Sequence, residues 1–476
     1  MFKRLPILMA ALLSLSGCVV VPELRSLKTD LPAAWPTQAQ ADANQPQSLA
    51  PDWWEAYGDP VLDALIKEAL LHNADLRLAA ARIEEARANL GLARATEGFQ
   101  LQGNLEVDRS RMTQRGSMPM GGNPVHTTYT AQLLASYELD LWGRYRAASD
   151  AARAELLASE YARDVVRTSL ASTIAQSYFA LRALDARRAL IEQTRANRLA
   201  ALELQTLRLD AGVSSELELR QAEAELASLD ASLAQTHQAQ QQQALALAVL
   251  VGRSPRALLE QTLERGQALD ALGSPPAIPA GLPSDLLQRR PDLRQAEQTL
   301  LASHARLKET KASLYPDVKL TASLGSESVA LSDLFSGPAA MWSIGGSILH
   351  SLINSGRTQS TLDARDARQT QALLAYEEAV RQAFREVLDA LVAHRQAREL
   401  ADAESRRARA LAAALEVADL RYRNGLTSYL TVLDAQRTLL QADLNRIDAR
   451  QAQLQASAAL ATALGGGWQD DPAKHD

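Results

Sequence analysis

The feature that most constrains this chain is that it contains the same unit twice. The segments LRLDAGVSSELELRQAE (207–223) and LRYRNGLTSYLTVLDAQ (420–436) match at six positions, always 213 residues apart. The matched pairs are Leu207/Leu420, Arg208/Arg421, Gly212/Gly425, Ser215/Ser428, Leu217/Leu430 and Ala222/Ala435, and the same offset joins Gly143-Arg144 to Gly356-Arg357 and Gly252 to Gly465. Gapless agreement over this length, glycines included, indicates a duplication rather than chance identity among Ala/Leu-rich helices.

The two copies differ by one loop. Nearer the start of each copy the offset is 217, which pairs Asp75-Leu76-Arg77 with Asp292-Leu293-Arg294 and Ala95 with Ala312. The offset changes between Leu101 and Gly143, so the first copy has a loop that is four residues longer (217 − 213). Met-Pro-Met-Gly-Gly-Asn-Pro, at 118–124, is its predicted position.

Each copy contains two segments in which apolar and polar residues alternate, as in a strand with one apolar face. The apolar positions are Leu101, Leu105 and Val107; Tyr129, Ala131, Leu133, Ala135, Tyr137, Leu139 and Leu141; and, in the second copy, Val318, Leu320, Ala322, Leu324, Trp342, Ile344 and Ile348. Each run has about ten residues, the length that a tilted strand needs to cross a bilayer. The alternative is the edge of a soluble β-sandwich.

Long helices are predicted after the strands, because no proline or glycine occurs between Arg146 and Leu209 or between Thr358 and Tyr422. Some 60 helical residues span roughly 90 Å. A coiled-coil seam with steps of 4, 3 and 4 is formed by Val380, Phe384, Val387 and Leu391. After turns at Gly212 and Gly425, returning helices are predicted to end at Gly252 and Gly465. Helices of this length must pack laterally against copies of themselves.

The predicted fold class is therefore mainly α with transmembrane β: a duplicated unit with four strands per protomer and long antiparallel coiled-coil helices. Four strands cannot close a barrel, and an open sheet edge in lipid leaves backbone groups without hydrogen bonds. Several chains must contribute to one barrel. Two chains would give eight strands around an interior filled by side chains, whereas three would give twelve strands and a lumen.

The only cysteine, Cys18, follows an apolar run that is too short to span a bilayer and is preceded by Lys3 and Arg4. Leu15-Ser16-Gly17-Cys18 resembles the lipobox of bacterial lipoproteins, which implies cleavage before Cys18 and its acylation. Val19 stands where Asp typically retains lipoproteins at the inner membrane, so the expected address is the outer membrane of a Gram-negative bacterium. The alternative is an ordinary signal peptide with an incidental cysteine.

These features divide the chain into predicted segments: a lipoprotein signal peptide at 1–17, a lipidated N-terminal arm at 18–60, repeat 1 at 61–252, a linker at 253–282, repeat 2 at 283–465 and a disordered tail at 466–476. Loss of residues 1–17 would take the formal net charge from −6 to −8 (−6 − 2). An acidic chain of this kind argues against nucleic acid as a partner.

The sequence shows little sign of catalysis, and no enzymatic role or cofactor is predicted. The seven histidines are scattered without the spacing of a zinc site, and the glycines at 465–467 end a helix rather than form a phosphate loop. Met112, Met118, Met120 and His126 form one soft-donor cluster that would suit Cu(I) or Ag(I). We interpret that segment instead as a hairpin loop on the cell exterior.

Several motifs, spread from 18 to 465, resemble those of the TolC-like outer-membrane efflux proteins, and most closely the lipoprotein OprM-like branch. They are Leu15-Ser16-Gly17-Cys18, YELDLWGR (137–144), LPSDLLQRRPDLRQAE (282–297), LYPDVKL (314–320) and LRYRNGLTSYLTVLDAQRTLL (420–440). The resemblance implies a homotrimer with a twelve-strand barrel joined to an α-helical periplasmic barrel. It also implies docking to a periplasmic adaptor and an inner-membrane transporter, usually of the resistance–nodulation–division class.

The resemblance further implies a closed periplasmic tip at Leu430, Asp434 and Arg437, with Tyr422 helping to tie the helices together. The spacing of 4 and 3 places the first three on one helix face, and threefold symmetry would make each a ring. Without the resemblance, Asp434 and Arg437 would be read as an ordinary solvated pair. The equivalent residues of repeat 1 are Gln221 and Ala224, so the predicted gate depends on repeat 2. The predicted adaptor contacts are the two turns, Gly212, Val213 and Ser214 and Gly425, Leu426 and Thr427.

The predicted function is the exit duct of a tripartite efflux pump for drugs or other small molecules. Alternatives within this class are ducts for type I protein secretion or metal efflux. A structural coiled-coil lipoprotein is the alternative from a different class, although a rod needs neither membrane-length strands nor a duplicated glycine turn.

Overall fold

A computed structural model describes residues 49–113, 115, 125–273 and 286–468. The predicted signal peptide, Cys18, Met118, Met120 and the tail after Trp468 lie outside the described residues. In the described part of the chain, none of the helices combines the length and the hydropathy that a membrane span requires.

Both repeats form the same series of elements. In repeat 1 these are α1 (Pro60–His72), α2 (Ala74–Glu97), β1 (Gln100–Arg111), β2 (Val125–Glu138), α3 (Arg144–Asp210) and α4 (Glu216–Val251), and a short 3-10 helix (Trp53–Tyr57) precedes them. After α5 (Pro255–Glu260), repeat 2 gives α6 (Leu286–Arg289), α7 (Pro291–Ala312), β3 (Asp317–Ser328), β4 (Ala340–Leu349), α8 (Arg357–Arg423) and α9 (Tyr429–Ala463). The predicted uninterrupted helices are confirmed as α3 and α8, each of 67 residues.

The described residues fold as two compact units. The first comprises residues 83–158 and 296–376, apart from the gap around 114–124, and it contains the sheet. The second comprises residues 49–82, 159–273, 286–295 and 377–468. Each unit takes segments from both repeats, so the compact units do not follow the duplication.

The strands form one antiparallel sheet in the order β1-β2-β3-β4. Gln100 lies opposite Ser136, and their repeat equivalents Asp317 and Leu349 also lie opposite each other. The two hairpins therefore have the same register, and the difference of four residues is confined to the loop between β1 and β2. This agrees with the predicted position of the longer loop.

The register places the predicted apolar positions on one face of all four strands, except Leu139 and Leu141, which lie beyond the end of β2 at Glu138. Leu105 lies opposite Ala131, Leu133 opposite Leu324, and Ala322 opposite Ile344. This face is open: Leu105 is 84% exposed and Ile344 is 80% exposed. A continuous apolar face of this size in a single chain indicates a surface that meets lipid or another apolar partner.

Two motifs that carry the family resemblance meet where β2 ends and β3 begins. Trp142 stacks on Tyr315 with ring centroids 4.8 Å apart, and its Nε1 donates to the Pro316 carbonyl oxygen at 2.8 Å. The Arg144 guanidinium pairs with Asp317 at 3.2 Å. These contacts join the segment before α3 to the segment before β3. The aromatic and charged residues of the motifs at 137–144 and 314–320 therefore contact each other at one junction.

The second unit has a mixed aromatic and aliphatic core. Trp53 and Trp54 are both 3% exposed and lie in this core with Tyr57, Tyr178 and Phe179. The buried carboxylate of Asp59 accepts hydrogen bonds from the Tyr178 hydroxyl at 2.6 Å and the Gln267 backbone N–H at 3.0 Å. The start of α1 is therefore fixed to α3 and to the segment after α5.

Equivalent side chains of the two repeats secure the ends of the returning helices. Asn73 Nδ2 donates to the Leu250 carbonyl oxygen at 2.8 Å, and its repeat equivalent Arg290 donates through Nη1 to the Ala463 carbonyl oxygen at 3.0 Å. The buried Arg290 also binds Asp292 at 2.7 Å and Glu386 at 2.6 Å. Repeat 2 thus replaces a neutral cap with a charged one.

We expect Arg290→Ala to lower the free energy of unfolding by about 3 kcal/mol, because two carboxylates lose their shared cation and a helix end loses its donor. Arg290→Lys should lose less, since it keeps the charge without the forked geometry. Thermal unfolding in detergent, followed by circular dichroism, measures the change. Arg256→Ala, which removes an exposed i,i+4 pair with Glu260, is the control. Equal midpoints for all four proteins would contradict the role of Arg290.

Candidate functional site

The candidate site is built on the two turns that join the long and returning helices, together with the first helical turns on either side. Both turns end their helix in the same way, with φ of 71° at Gly212 and 72° at Gly425. The following residue donates back into the helix in each case, Val213 N–H to the Arg208 carbonyl at 2.9 Å and Leu426 N–H to the Arg421 carbonyl at 2.8 Å. A residue with a Cβ is strained at such a left-handed position, so the glycines fix both turns.

The residues after these glycines present apolar surface. Val213 is 74% exposed and Leu426 is 67% exposed. The small polar residues that follow differ in their contacts. Ser214 Oγ lies 3.1 Å from Gln205 Oε1, whereas Thr427 Oγ1 donates to Thr431 Oγ1 at 2.9 Å.

Tyr422 lies one residue before the end of α8 and faces α3. Its hydroxyl accepts hydrogen bonds from Arg208 Nη1 and, at 3.4 Å, from Gln205 Nε2. The Arg208 guanidinium also lies over the Tyr422 ring, 5.4 Å from its centroid, and Tyr429 packs on the ring at 5.7 Å. Tyr422 therefore joins the long helix of repeat 2 to the long helix of repeat 1.

The three predicted gate residues lie on the first two turns of α9. Leu430 is 53% exposed, and Asp434 and Arg437 are exposed as well. In the described part of the chain, the Asp434 carboxylate has no hydrogen bond. Arg437 does not pair directly with Asp434, so the two residues do not form the solvated pair that spacing alone would suggest.

Arg437 pairs instead with Glu225 on α4. Its Nε donates to Glu225 Oε1 at 2.7 Å, and its Nη2 binds the same oxygen. This hydrogen bond is the main reason why the pKa of Arg437 is raised. Because α4 belongs to repeat 1, the ion pair is a second link between the two helical hairpins.

A buried cation lies close to these links. Arg198 on α3 is 4% exposed, and its Nη1 binds Gln436 Oε1 on α9. Burial is the main cause of the lowered pKa of Arg198, while the nearby Glu225 carboxylate opposes this shift. Arg198, Glu225 and Arg437 therefore form one electrostatic group that spans both hairpins.

Glu225, Arg208 and Gln205 are site residues that sequence reasoning missed. The repeat offset contains the signal that finds them. Contacting residues are 212 positions apart for Arg437 and Glu225 and 214 apart for Tyr422 and Arg208, close to the offset of 213. Where equivalent helices of the two repeats run side by side, equivalent residues lie at the same level along the helix axis. A search of the sequence for polar pairs about 213 positions apart would therefore have found both pairs.

Within the described ranges, no group of three or more His, Cys, Asp or Glu side chains is placed to hold a metal ion. Met112, which is 48% exposed, and His126 are described. The Ser110 hydroxyl lies 3.0 Å from His126 Nε2. Met118 and Met120 fall outside the described residues, so the interpretation of that segment as a hairpin loop stays a prediction.

Comparison with known proteins gives a consistent result. The family model for outer membrane efflux proteins matches residues 65–253 and 282–466, one match in each repeat. The solvent efflux pump outer membrane protein SrpC of Pseudomonas putida is 35% identical over 472 residues, 98% of each chain. The cation efflux system protein CusC of Escherichia coli O6:H1 is 33% identical over 98% of this chain and 99% of its own.

A solved structure shows the same fold. The outer-membrane channel OprN superposes with a TM-score of 0.87 at 30% identity, covering 95% of this chain and 100% of its own. Four strands, long helices and the two turns thus occur together in a chain whose relatives are efflux channels. This protein belongs to the outer membrane efflux protein family, and its function is that of an outer-membrane efflux channel.

Proposed function

We propose that three copies of this chain form the exit duct of a tripartite efflux pump, which passes small molecules delivered by an inner-membrane transporter through a periplasmic adaptor. The observation that carries the proposal is the four-stranded sheet with an exposed apolar face and two edge strands. Such a sheet can be stable in lipid only if its edges pair with other chains. Twelve strands give a lumen, and the choice of cargo then lies with the transporter.

The sheet itself supplies a template for the pairing between copies. Within the chain, the second strand of repeat 1 (β2) pairs with the first strand of repeat 2 (β3). Between copies, the second strand of repeat 2 (β4) would pair in the same way with the first strand of repeat 1 (β1) of the next copy. Ala135 lies opposite Ala322, and Leu134 opposite Ser323. The repeat offsets convert these pairs into Ile348 opposite Leu105 and Ser347 opposite Glu106 of the next copy. Apolar residues then meet on the lipid face and polar residues on the water face.

We expect the pair Ser347→Cys/Glu106→Cys to form disulfide-linked trimers, because directly opposed residues lie within disulfide reach. The matched controls shift one partner by two residues: Ser347→Cys with Asn104→Cys or with Asp108→Cys. The products are compared on non-reducing gels after mild oxidation of membranes. Faster linking of a shifted pair would contradict the register, and no linking of any pair would contradict the seam.

The proposed gate is the group Leu430, Asp434 and Arg437, with Tyr422 and Glu225 as ties. A ring of three Asp434 carboxylates would favour cations over anions in the duct. Each exposed Arg437–Glu225 pair is worth about 0.2–1 kcal/mol. Over three copies the pairs would sum to about 0.6–3 kcal/mol, which would shift the closed–open equilibrium by about 3- to 150-fold.

Single-channel conductance in planar bilayers tests the gate. We expect small, cation-biased openings for the wild type and several-fold larger conductance for Asp434→Ala/Arg437→Ala. Glu225→Gln should reproduce part of the increase, because it releases the same guanidinium. Gln221→Ala, the repeat 1 equivalent of Asp434, is the matched control and should conduct like the wild type.

The possible outcomes separate the proposals. If inserted wild type and variants fail to conduct, the duct is wrong and a structural coiled-coil lipoprotein becomes the better interpretation. If all of them conduct widely and alike, the duct stands and the gate residues are wrong.

The proposed adaptor contacts are the two turns, Gly212 to Ser214 and Gly425 to Thr427. Exposed Val213 and Leu426 offer small apolar anchors at equivalent positions, which suits a partner that binds repeats alternately around a ring. The glycines hold both anchors in the same local geometry.

Cys18 is the proposed lipid anchor, and outer-membrane lipid is therefore a proposed partner. Cells that express the wild type should incorporate labelled palmitate into the protein, whereas Cys18→Ala should not, because the thiol is the acceptor. Absence of label in the wild type, with a mature N-terminus other than Cys18, would contradict the lipobox interpretation.

A further inference from the structure

We propose that Gln205 is a positioning residue that couples the turn Gly212–Ser214 to the tie at Tyr422. The proposal rests on the proposed function, since it concerns how a partner at that turn loosens the gate. Gln205 lies on α3 and is 1% exposed. Its side chain lies between the Ser214 hydroxyl, 3.1 Å from Oε1, and the Tyr422 hydroxyl, 3.4 Å from Nε2.

A buried amide needs hydrogen-bond partners at both ends, because an unsatisfied buried polar atom is costly. Ser214 and Tyr422 satisfy one end each. Ser214 Oγ donates to the amide oxygen, and the amide nitrogen donates to the Tyr422 hydroxyl. Movement of Ser214 therefore changes the hydrogen bonding that holds Gln205 against Tyr422.

Ser214 has an alternative partner within its own turn. Its Oγ lies 2.5 Å from Glu218 Oε2, and its single proton can be donated to only one of the two acceptors at a time. A partner that docks on the exposed Val213 and turns the Ser214 hydroxyl away would leave Gln205 with one partner. Arg208 would remain on Tyr422 as the constant part of the tie.

The duplication supplies an internal comparison, because repeat 2 lacks this connection. The equivalent of Gln205 is Ala418, and the equivalent of Tyr422 is Leu209. Thr427, the equivalent of Ser214, bonds to Thr431 within its own turn. The turn of repeat 1 thus reaches the Tyr422 hydroxyl through Gln205, whereas Ala418 has no polar side chain that could make the same connection in repeat 2.

Single-channel conductance of Ser214→Ala, Gln205→Met and Tyr422→Phe tests the inference, with trimer formation on gels as the folding control. Methionine keeps the length of glutamine without its amide. Gln205→Met and Ser214→Ala should each raise conductance, by a smaller factor than Tyr422→Phe. Thr431→Ala, which removes the bond in repeat 2 that is equivalent to Ser214–Glu218, should leave conductance unchanged.

The decisive variant is Gln205→Met/Tyr422→Phe, because a residue that acts through Tyr422 has no further effect once the hydroxyl is gone. Conductance equal to that of Tyr422→Phe alone supports the proposal. If Gln205→Met raises the conductance of Tyr422→Phe by the same factor as it raises that of the wild type, the proposal is wrong. It is also wrong if Thr431→Ala raises conductance as much as Gln205→Met does. If Tyr422→Phe opens the channel and Gln205→Met does not, the coupling is wrong and the duct stands. If no protein conducts, the proposed function fails and the coupling fails with it.

Discussion

The rest of this structure depends on the backbone N–H and C=O groups at the outer edges of β1 and β4, the two edge strands of the sheet. Each of these strands pairs on one side only within the chain, while the sheet they bound presents an apolar face of lipid-facing character. Water can satisfy a free strand edge, but hydrocarbon cannot. In lipid, the sheet of a single chain therefore needs further strands at both edges. The long helices likewise need other helices packed beside them.

The duplication gives both halves of the chain the same scaffold, and two of the three residues of the proposed gate are among those that differ between the copies. The two hairpins of the sheet share one register, and equivalent residues hold both returning helices. The Trp142–Tyr315 stack, however, has Ser355 and Gly98 at the equivalent positions, and Arg437 has Ala224. A perfectly repeated chain would give every junction the same strength. Here the Trp142–Tyr315 stack reinforces the junction between β2 and β3. The links between the two helical hairpins join residues of repeat 2 to residues of repeat 1 that are not their equivalents.

Most of the fold could be predicted from the sequence because its signals are local. Alternation gave the faces of the strands, the absence of proline and glycine gave α3 and α8, and Gly212 and Gly425 gave the turns. The roles of the gate residues stay predictions. The partners of Arg437 and Tyr422 escaped prediction because a polar side chain on an exposed helix face has many possible partners. Glu225 and Gln205 become identifiable only when the two hairpins are placed side by side at equal height.

The links between the hairpins are individually weak, and that weakness suits a gate. An exposed ion pair such as Arg437–Glu225 contributes about 0.2–1 kcal/mol, and a hydrogen bond such as those on Tyr422 contributes about 0.5–1.5 kcal/mol. In the proposed trimer, such contacts would sum to a few kcal/mol, enough to favour a closed state. A docking partner with a modest preference for the open state can overcome a sum of that size. If the two helical hairpins were joined by a buried aromatic core, the proposed gate could not open. The exposure of Arg437 and the connection of Tyr422 to a surface turn instead suit a gate that opens reversibly.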